Sequence, residues 1–286
     1  MFDKTKFKKQ LMEYMDSHPE IKPQKLKKVT NINLVSQDDY IQHKPLIDEI
    51  VSWYLTMQKE REKAQQWYHT IDLGNGRITN GIYDHRPVLK HYGFPNNLEG
   101  KRVLDVGPAD GFFSFQFEKM GAKEVVAIDA YENPHFIEAK DVLRSKVDYR
   151  IIDVYDLNPK DLGYFDMIFC GTVLTHLSDP FRALSNIRNV MSKDGVFFLA
   201  AVVFKPKWYL YPFELILNQS IAELVPGRQS LGRVSSYWVP SPACLREMLY
   251  KTGFNNIKKI GSFILHGNYK LTEQKSLYPH IVFKAF

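Results

Sequence analysis

Cysteine is scarce in this chain. Across 286 residues only Cys170 and Cys244 occur, and neither falls in a C-x-x-C pair or a Cys/His cluster with metal-ligand spacing. A disulfide framework and a structural zinc site are both disfavoured, and no metal is expected. Long apolar runs are missing too. None approaches the ~20 residues that span a bilayer, and the opening MFDKTKFKKQ has no signal-peptide core, so the expectation is a cytoplasmic protein with no membrane partner. Internal repeats and low-complexity tracts are likewise lacking, which argues against solenoids and disordered tails.

What is present is the composition of a soluble globular protein, with 44% hydrophobic and 24% charged residues. The length suits one α/β domain with additions. The formal net charge is +6, and Lys4, Lys6, Lys8, Lys9, Lys22, Lys25, Lys27 and Lys28 crowd the first thirty residues. Such a run is either a solvated helix face or a docking surface for RNA phosphates.

The chain is organised around Lys101 to Ala130, KRVLDVGPADGFFSFQFEKMGAKEVVAIDA. Arg102 to Val106 fits a buried parallel strand, Gly107 to Gly111 a turn, Phe112 onward a helix that stops near Gly121, and Glu124 to Ile128 a second strand ending on Asp129. Glycine at Gly107 and Gly111 lets the main chain approach a ligand closely. Asp129 lies 18 residues past Gly111 (129 − 111), near the ~20-residue interval at which an acidic strand end takes both ribose hydroxyls of a nucleoside cofactor. A dinucleotide site wants G-x-G-x-x-G to seat a pyrophosphate. Here Ala109 replaces the middle glycine, and Asp105 and Asp110 flank the helix mouth. Two carboxylates repel a pyrophosphate but suit an ammonium and a sulfonium.

Ahead of this unit, Lys4 to Ser17 has helical spacing of Phe7, Leu11, Tyr14 and Met15. Ile21 to Asn33 reads as a loop and about Lys44 to Gln66 as a second helix. Residues 1–66 thus form a basic helical cap before a domain over 67–286. Trp67 to Leu89 is dense in Trp, Tyr, His, Asp and Arg, a composition suited to recognition. Trp67, His69, Tyr83 and Arg86 are the first candidates for an acceptor site, and Gly74-Asn75-Gly76 for a hairpin turn. Each of these rings has a bland alternative, as cover for a sheet edge.

Beyond Asp129, a helix from about Pro134 to Arg144 leads to a strand Asp148–Ile152 that ends on Asp153 and Val154. These are placed to meet an adenine, or else Asp153 caps a turn. The strand Phe165–Cys170 runs into Gly171-Thr172-Val173-Leu174-Thr175-His176, so Cys170, Gly171 and His176 should border the ligand beyond the carboxyl ends of a parallel sheet. A helix from Pro180 to Met191 and an interior strand Val196–Val203 follow. The insertion Phe204–Pro240, with Trp208 and Trp238, is expected as a lid. Arg228 and Arg233 are its groups most able to hold an anionic acceptor. A further helix and two closing strands bring the count to seven, an α/β, Rossmann-like sheet.

The D-x-G-x-x-x-G turn with a strand-ending Asp resembles the methionine and ribose sites of class I methyltransferases, which implies S-adenosyl-L-methionine as cofactor. From Trp67 onward the resemblance narrows. WYHTIDL, Tyr83-Asp84-His85-Arg86-Pro87, KRVLDVG.ADGFFSF, GTVLTHL.DP and YWVPSPACLREMLYKTGF are similar to the family of tRNA wobble-uridine 5-oxyacetate enzymes and their methyltransferase relatives. Carboxymethyl-transferring members carry a tyrosine in the turn after the fourth strand and an arginine near the C-terminus. Here Thr175 stands in the turn and no arginine follows Arg246, so the resemblance implies the ordinary donor. The expected function is methyl transfer to an O or N acceptor, a small molecule. The alternatives are a tRNA wobble uridine derivative and a silent cofactor-binding protein. His69 and His176 are the candidate bases.

Overall fold

In a computed structural model the described residues are 3–17, 34–64, 66–203, 220–224, 237–268 and 277–286. They divide into two compact units, Met1–Gln66 and Trp67–Phe286. In the first, α1 (Lys4–Ser17) and α2 (Gln37–Ala64) bury Phe7, Leu11 and Met15 together with Ile47, Ile50 and Tyr54. The α1 residues recur every four positions, which puts them on one helical stripe. α2 begins earlier than its apolar pattern suggests and bends at His43 (φ −117°, ψ 18°), two residues before Pro45, whose missing N–H breaks the ladder. The segment expected as a loop, Ile21 to Asn33, lies outside the described residues.

The second unit carries a seven-stranded sheet flanked by helices. Its strands are β1 (Arg102–Val106), β2 (Glu124–Asp129), β3 (Asp148–Ile151), β4 (Phe165–Gly171), β5 (Met191–Val202), β8 (Ile257–His266) and β9 (Leu277–Ala285). They lie in the order β3-β2-β1-β4-β5-β9-β8. The first five are parallel, while β9 runs antiparallel to both β5 and β8. A short antiparallel ribbon, β6 (Ala222–Leu224) with β7 (Trp238–Pro240), is the described part of the 204–240 insertion.

Alternation along β1 sends Val103 to one face and Leu104 and Val106 to the other. The first face is covered by α3 (Phe112–Lys119), which contributes Phe112, Phe113, Phe115 and Phe117, and by α4 (Pro134–Leu143) through Phe136 and Ala139. The opposite face is covered by α6 (Pro180–Asn189), with Ala183, Leu184 and Ile187, and by α7 (Pro242–Lys251), with Leu245 and Leu249. One four-residue turn, α5 (Pro159–Leu162), precedes β4. Both faces are apolar because a central parallel sheet has no wet side. That is why β1, β2, β4 and β5 read as near-continuous apolar runs.

Before the sheet, residues 67–83 fold back on themselves. Leu73 N–H donates to Arg77 O and Thr79 N–H to Ile71 O, both at 2.9 Å, around the Gly74-Asn75-Gly76 turn. Thr70 N–H and Tyr83 O pair at 2.9 Å. The two chains touch closely at Gly81, where a Cβ would stand 2.1 Å from the His69 carbonyl carbon. Only glycine permits that approach.

Candidate active site

A cavity of about 670 Å³ opens where β1, β2 and β4 end, at the carboxyl edge of the parallel strands. One end of it is made of turns. Gly107 leaves β1 at φ 71°, and a Cβ there would come 2.3 Å from Val173 Cγ2. Ala109 and Thr172 also hold positive φ, 48° and 62°, uncommon for non-glycine residues and concentrated here in the cavity wall. Asp129 closes β2 and lines this end. Its carboxylate accepts the Ala130 N–H at 2.8 Å. Burial pushes its pKa above the usual carboxylate value against the pull of that donor.

Asp153 and Val154 line the same end. Asp153 also accepts the Tyr155 N–H at 2.9 Å, capping a short 3-10 turn. Both readings of that side chain, cap and cavity wall, therefore apply together.

The other end is aromatic. Tyr68, Tyr83, Tyr92, Phe113, Phe169 and Tyr237 line it, with the imidazoles of His69, His85 and His280. These three histidines are 4%, 5% and 3% exposed. Burial holds the His69 pKa down to about 3 and that of His85 well below its usual value, so both rings are neutral at ordinary pH. Tyr92 Oη and His85 Nδ1 are hydrogen-bonded at 2.9 Å, and His280 Nε2 lies 3.4 Å from Thr172 Oγ1. His69 Nδ1 has no partner. Tyr237 is carried on the returning arm of the insertion, whose N–H donates to Thr175 O at 2.8 Å.

Of the residues singled out in the sequence, His69, Tyr83, Gly107, Asp129, Asp153, Val154, Gly171 and His176 line the cavity. Asp105, Asp110, Gly111 and Cys170 are not among its lining residues. Asp105 is 1% exposed behind the wall, accepts the Ser114 Oγ–H at 2.6 Å, and has its carboxyl pushed up to about 7 by burial. Asp110, equally buried, accepts main-chain N–H groups from Tyr68 and His69, the latter at 2.8 Å, and the Asn133 Nδ2 amide at 3.0 Å. It holds protein where a ligand was expected. Gly111 sits at φ 90°, and a Cβ there would meet Phe115 Cε2 at 2.6 Å, so its glycine serves ring packing. The Cys170 thiol is sealed in the core, its pKa pushed up to about 12.

Three acceptor candidates, Trp67, Arg86 and Trp238, are likewise not among the lining residues. Trp67 stacks on His135 with ring centroids 4.5 Å apart. Arg86 forks onto Asp84, with Nη2 and Nε at 2.7 and 2.8 Å from its oxygens. Trp238 packs on the core and donates Nε1–H to Leu177 O at 2.9 Å. Trp208, Arg228 and Arg233 lie outside the described residues. The sequence reading named neither His280 nor Tyr237 as a site residue, and His85 appeared only inside a motif. A histidine or tyrosine set in an otherwise apolar run, as in Pro279-His280-Ile281-Val282-Phe283, was the available signal. Among the described residues no group of three or more His, Cys, Asp or Glu is arranged to hold a metal ion, and no helix is long and apolar enough to cross a membrane.

Comparison with known proteins places this geometry. Residues 104–199 match a family profile described as "Methyltransferase domain". The chain is 30% identical over 163 residues to a tRNA U34 carboxymethyltransferase of Actinobacillus succinogenes, covering 56% of this chain and 47% of that one. It is 33% identical over 132 residues to a ubiquinone biosynthesis O-methyltransferase of Dechloromonas aromatica, covering 46% and 56%. It thus spans about half the length of these curated relatives. In fold it is similar to the N-terminal domain of EvdMO1, a structure with SAH bound, at TM-score 0.57 and 17% identity over 81% of this chain and 96% of that one. The YcgJ protein of Bacillus subtilis gives TM-score 0.54 and 18% identity over 70% and 97%. Residues 104–199, which hold the glycine turn after β1 and the carboxylate-ended β2, thus match a methyltransferase domain, and the seven-stranded α/β fold is similar to that of these solved structures.

Proposed function

We propose that this protein moves a methyl group from S-adenosylmethionine to an oxygen or nitrogen atom of a small molecule. The observation that carries the reading is one continuous cavity with a hydrogen-bonded carboxylate at one end and a chamber of rings and neutral imidazoles at the other. The cofactor supplies an electrophilic methyl on a sulfonium, and the acceptor's lone pair takes that methyl as the carbon–sulfur bond breaks and leaves its electrons on sulfur.

The residues fit such a group. Asp129, held by the Ala130 N–H, keeps lone pairs for the ribose hydroxyls. Asp153 and Val154 offer a carboxylate and a main-chain N–H for the adenine, and Gly107 and Gly171 bring bare backbone to the methionine part. At the far end the protein aligns the acceptor and excludes water, the two contributions an in-line displacement needs. His69 and His176 are the candidate bases by side-chain type and place. His69, held neutral, has a lone pair ready for a hydroxyl hydrogen but is a weak proton store. A phenol-like acceptor, acidic in itself, needs no stronger base.

A second reading, modification of a tRNA wobble uridine derivative, is favoured by the names of several relatives and by the lysines of the first unit. The deciding experiment traces labelled methyl from the cofactor into fractionated cell extract. Label travelling with small solutes supports the first reading, and label travelling with RNA supports the second. Tight cofactor retention with no S-adenosylhomocysteine formed would reject both in favour of a silent binding protein.

A further inference from the structure

The segment Tyr83-Asp84-His85-Arg86-Pro87 delivers His85 to the cavity wall between two clamps. On one side the main chain of Tyr83 pairs with that of Tyr68 and of Thr70, at 2.9 Å each. On the other, the Asp84–Arg86 fork spans His85 at the start of a 3-10 helix, Arg86–Tyr92. Tyr92, at the far end of that helix, turns its hydroxyl back onto His85 Nδ1 at 2.9 Å. Phe113 and Phe112 stand against the imidazole with ring centroids 5.0 and 5.9 Å away. Both polar rings are uncharged, since burial holds the pKa of His85 well below its usual value and that of Tyr92 well above.

The direction of the Tyr92–His85 hydrogen bond follows from what each atom can do. Tyr92 is 1% exposed and its hydroxyl has no other partner among the described residues, so its hydrogen has one acceptor within reach, the lone pair of His85 Nδ1. The reverse direction would bury a hydroxyl hydrogen with nothing to receive it. With Nδ1 accepting, the hydrogen of the neutral imidazole stands on Nε2. That nitrogen makes no hydrogen bond among the described residues, where the one sealed side-chain nitrogen or oxygen without a partner is Nδ1 of His69. Nε2 of His85 is therefore not sealed, and it opens on the cavity that its ring lines.

We infer that His85 donates a hydrogen bond from Nε2 to a carbonyl-type oxygen of the methyl acceptor, and that Tyr92 is a positioning residue that sets the tautomer. The inference deepens the methyltransferase reading and rests on it. While Tyr92 fills Nδ1, the ring has no lone pair to take a proton from the acceptor, so His85 holds and selects where a base would deprotonate. A carbonyl oxygen accepts and carries no hydrogen of its own, which complements a nitrogen that only donates. The flat walls of Tyr83, Phe113 and Phe169 suit a ring beside that oxygen.

The tautomer is read first, by long-range proton–nitrogen NMR on the full chain with isotope-labelled histidine, the His85 signals being those lost in His85→Gln. Expected is the Nε2–H form, turning to a mixture of forms in Tyr92→Phe. An Nδ1–H form in the unaltered protein overturns the inference, and an unchanged form in Tyr92→Phe overturns the role given to Tyr92. Affinity for S-adenosylhomocysteine is measured separately by calorimetry. Its absence would sink the methyltransferase reading and leave the tautomer result standing. The chain saturated with S-adenosylhomocysteine is then titrated with acetophenone and ethylbenzene, which differ as carbonyl and methylene, by ligand-observed NMR. The affinity ratio of acetophenone to ethylbenzene should fall at least about fivefold in His85→Phe, the worth of one neutral hydrogen bond. It should be largely kept in His85→Gln, whose amide carries an N–H to about the same reach. A ratio unchanged in His85→Phe, or acetophenone that does not bind the unaltered protein, overturns the inference. Should His85→Phe fail to fold, the His85 Nε2–H signal of the unaltered protein decides, since acetophenone must shift it more than ethylbenzene does and equal or absent shifts overturn the inference.

Discussion

The carboxylate of Asp110 accepts the main-chain N–H of His69 at 2.8 Å across 41 residues of sequence. Through it the turn that opens α3 grips the wall on which the aromatic chamber is built. The same carboxylate reaches the main-chain N–H of Tyr68 and the amide of Asn133, the N-cap of α4, so three segments meet on one side chain. Asp110→Ala strands two buried N–H donors and an amide. Each hydrogen bond to a charged group contributes about 1.5–3 kcal/mol, so urea unfolding should show a loss of at least about 3 kcal/mol. A loss below about 1 kcal/mol would remove the clamp from this account.

Asp129 differs, because its work is toward the ligand. Its carboxylate is held by the main-chain N–H of Ala130, which survives as a solvent-bonded group when the side chain goes. Asp129→Ala should leave the thermal midpoint within a few degrees while weakening S-adenosylhomocysteine binding by at least about a hundredfold, two hydrogen bonds to a charged group being lost. Calorimetry showing unchanged affinity would reject the ribose assignment.

These two aspartates mark how far the sequence could be read. The place of Asp129 at the end of β2 was legible because the strand that carries it is a continuous apolar run bounded by turn residues. The spans of β1, β2 and β4 followed from the same apolar pattern. The protein partners of Asp110 were not legible, because a carboxylate at a helix mouth looks alike whether it faces a ligand or an N–H from 41 residues away. The pairing of Arg86 went unread for the opposite reason. Its partner Asp84 is only two residues distant, and a bidentate fork at that spacing leaves the guanidinium committed. His280 lies 211 positions beyond His69 (280 − 69), and only the antiparallel return of β9 beside β5 brings it to the cavity.

The turn after β1 supports a double-variant test. Gly107→Ala places a Cβ at φ 71° and 2.3 Å from Val173 Cγ2, combining a left-handed penalty of about 1–2 kcal/mol with a steric clash in the cavity wall. Val173→Ala removes the clashing methyl. The double variant should therefore recover part of the stability and cofactor affinity lost by Gly107→Ala, leaving about the conformational penalty. A double variant worse than the sum of the singles would show that the clash is not the cause.

Asp105 makes a pH-dependent prediction. Its folded carboxyl titrates at about 7, above the usual 3.8, because burial disfavours its charge. Its contribution is fully present below the unfolded value and is lost as pH rises through the folded one. Between pH 3.5 and pH 8 the stability of Asp105→Asn should therefore rise relative to the unaltered protein, by up to about 4 kcal/mol. Denaturation at the two pH values checks this, and an unchanged difference would mean that the folded carboxyl titrates as it does in the unfolded chain.

His69 titrates with the opposite sign. Its imidazole stays neutral in the folded chain down to about pH 3, against 6.5 when unfolded, because the surrounding rings offer a cation nothing in exchange for water. The stability tied to that ring is whole above pH 6.5 and is lost as acid protonates the unfolded chain but not the folded one. At pH 5 the loss amounts to about 2 kcal/mol for this one group. His69→Gln has no such proton to bind. Whatever the substitution costs at pH 7.5, the gap between variant and unaltered protein should close by about 2 kcal/mol at pH 5, measured by urea unfolding at both values. His85, buried beside it with its pKa lowered for the same cause, remains in both proteins and cancels in the difference. A gap that stays constant would mean that the ring takes up its proton in the folded chain as readily as in the unfolded one, and that burial does not hold it neutral in acid.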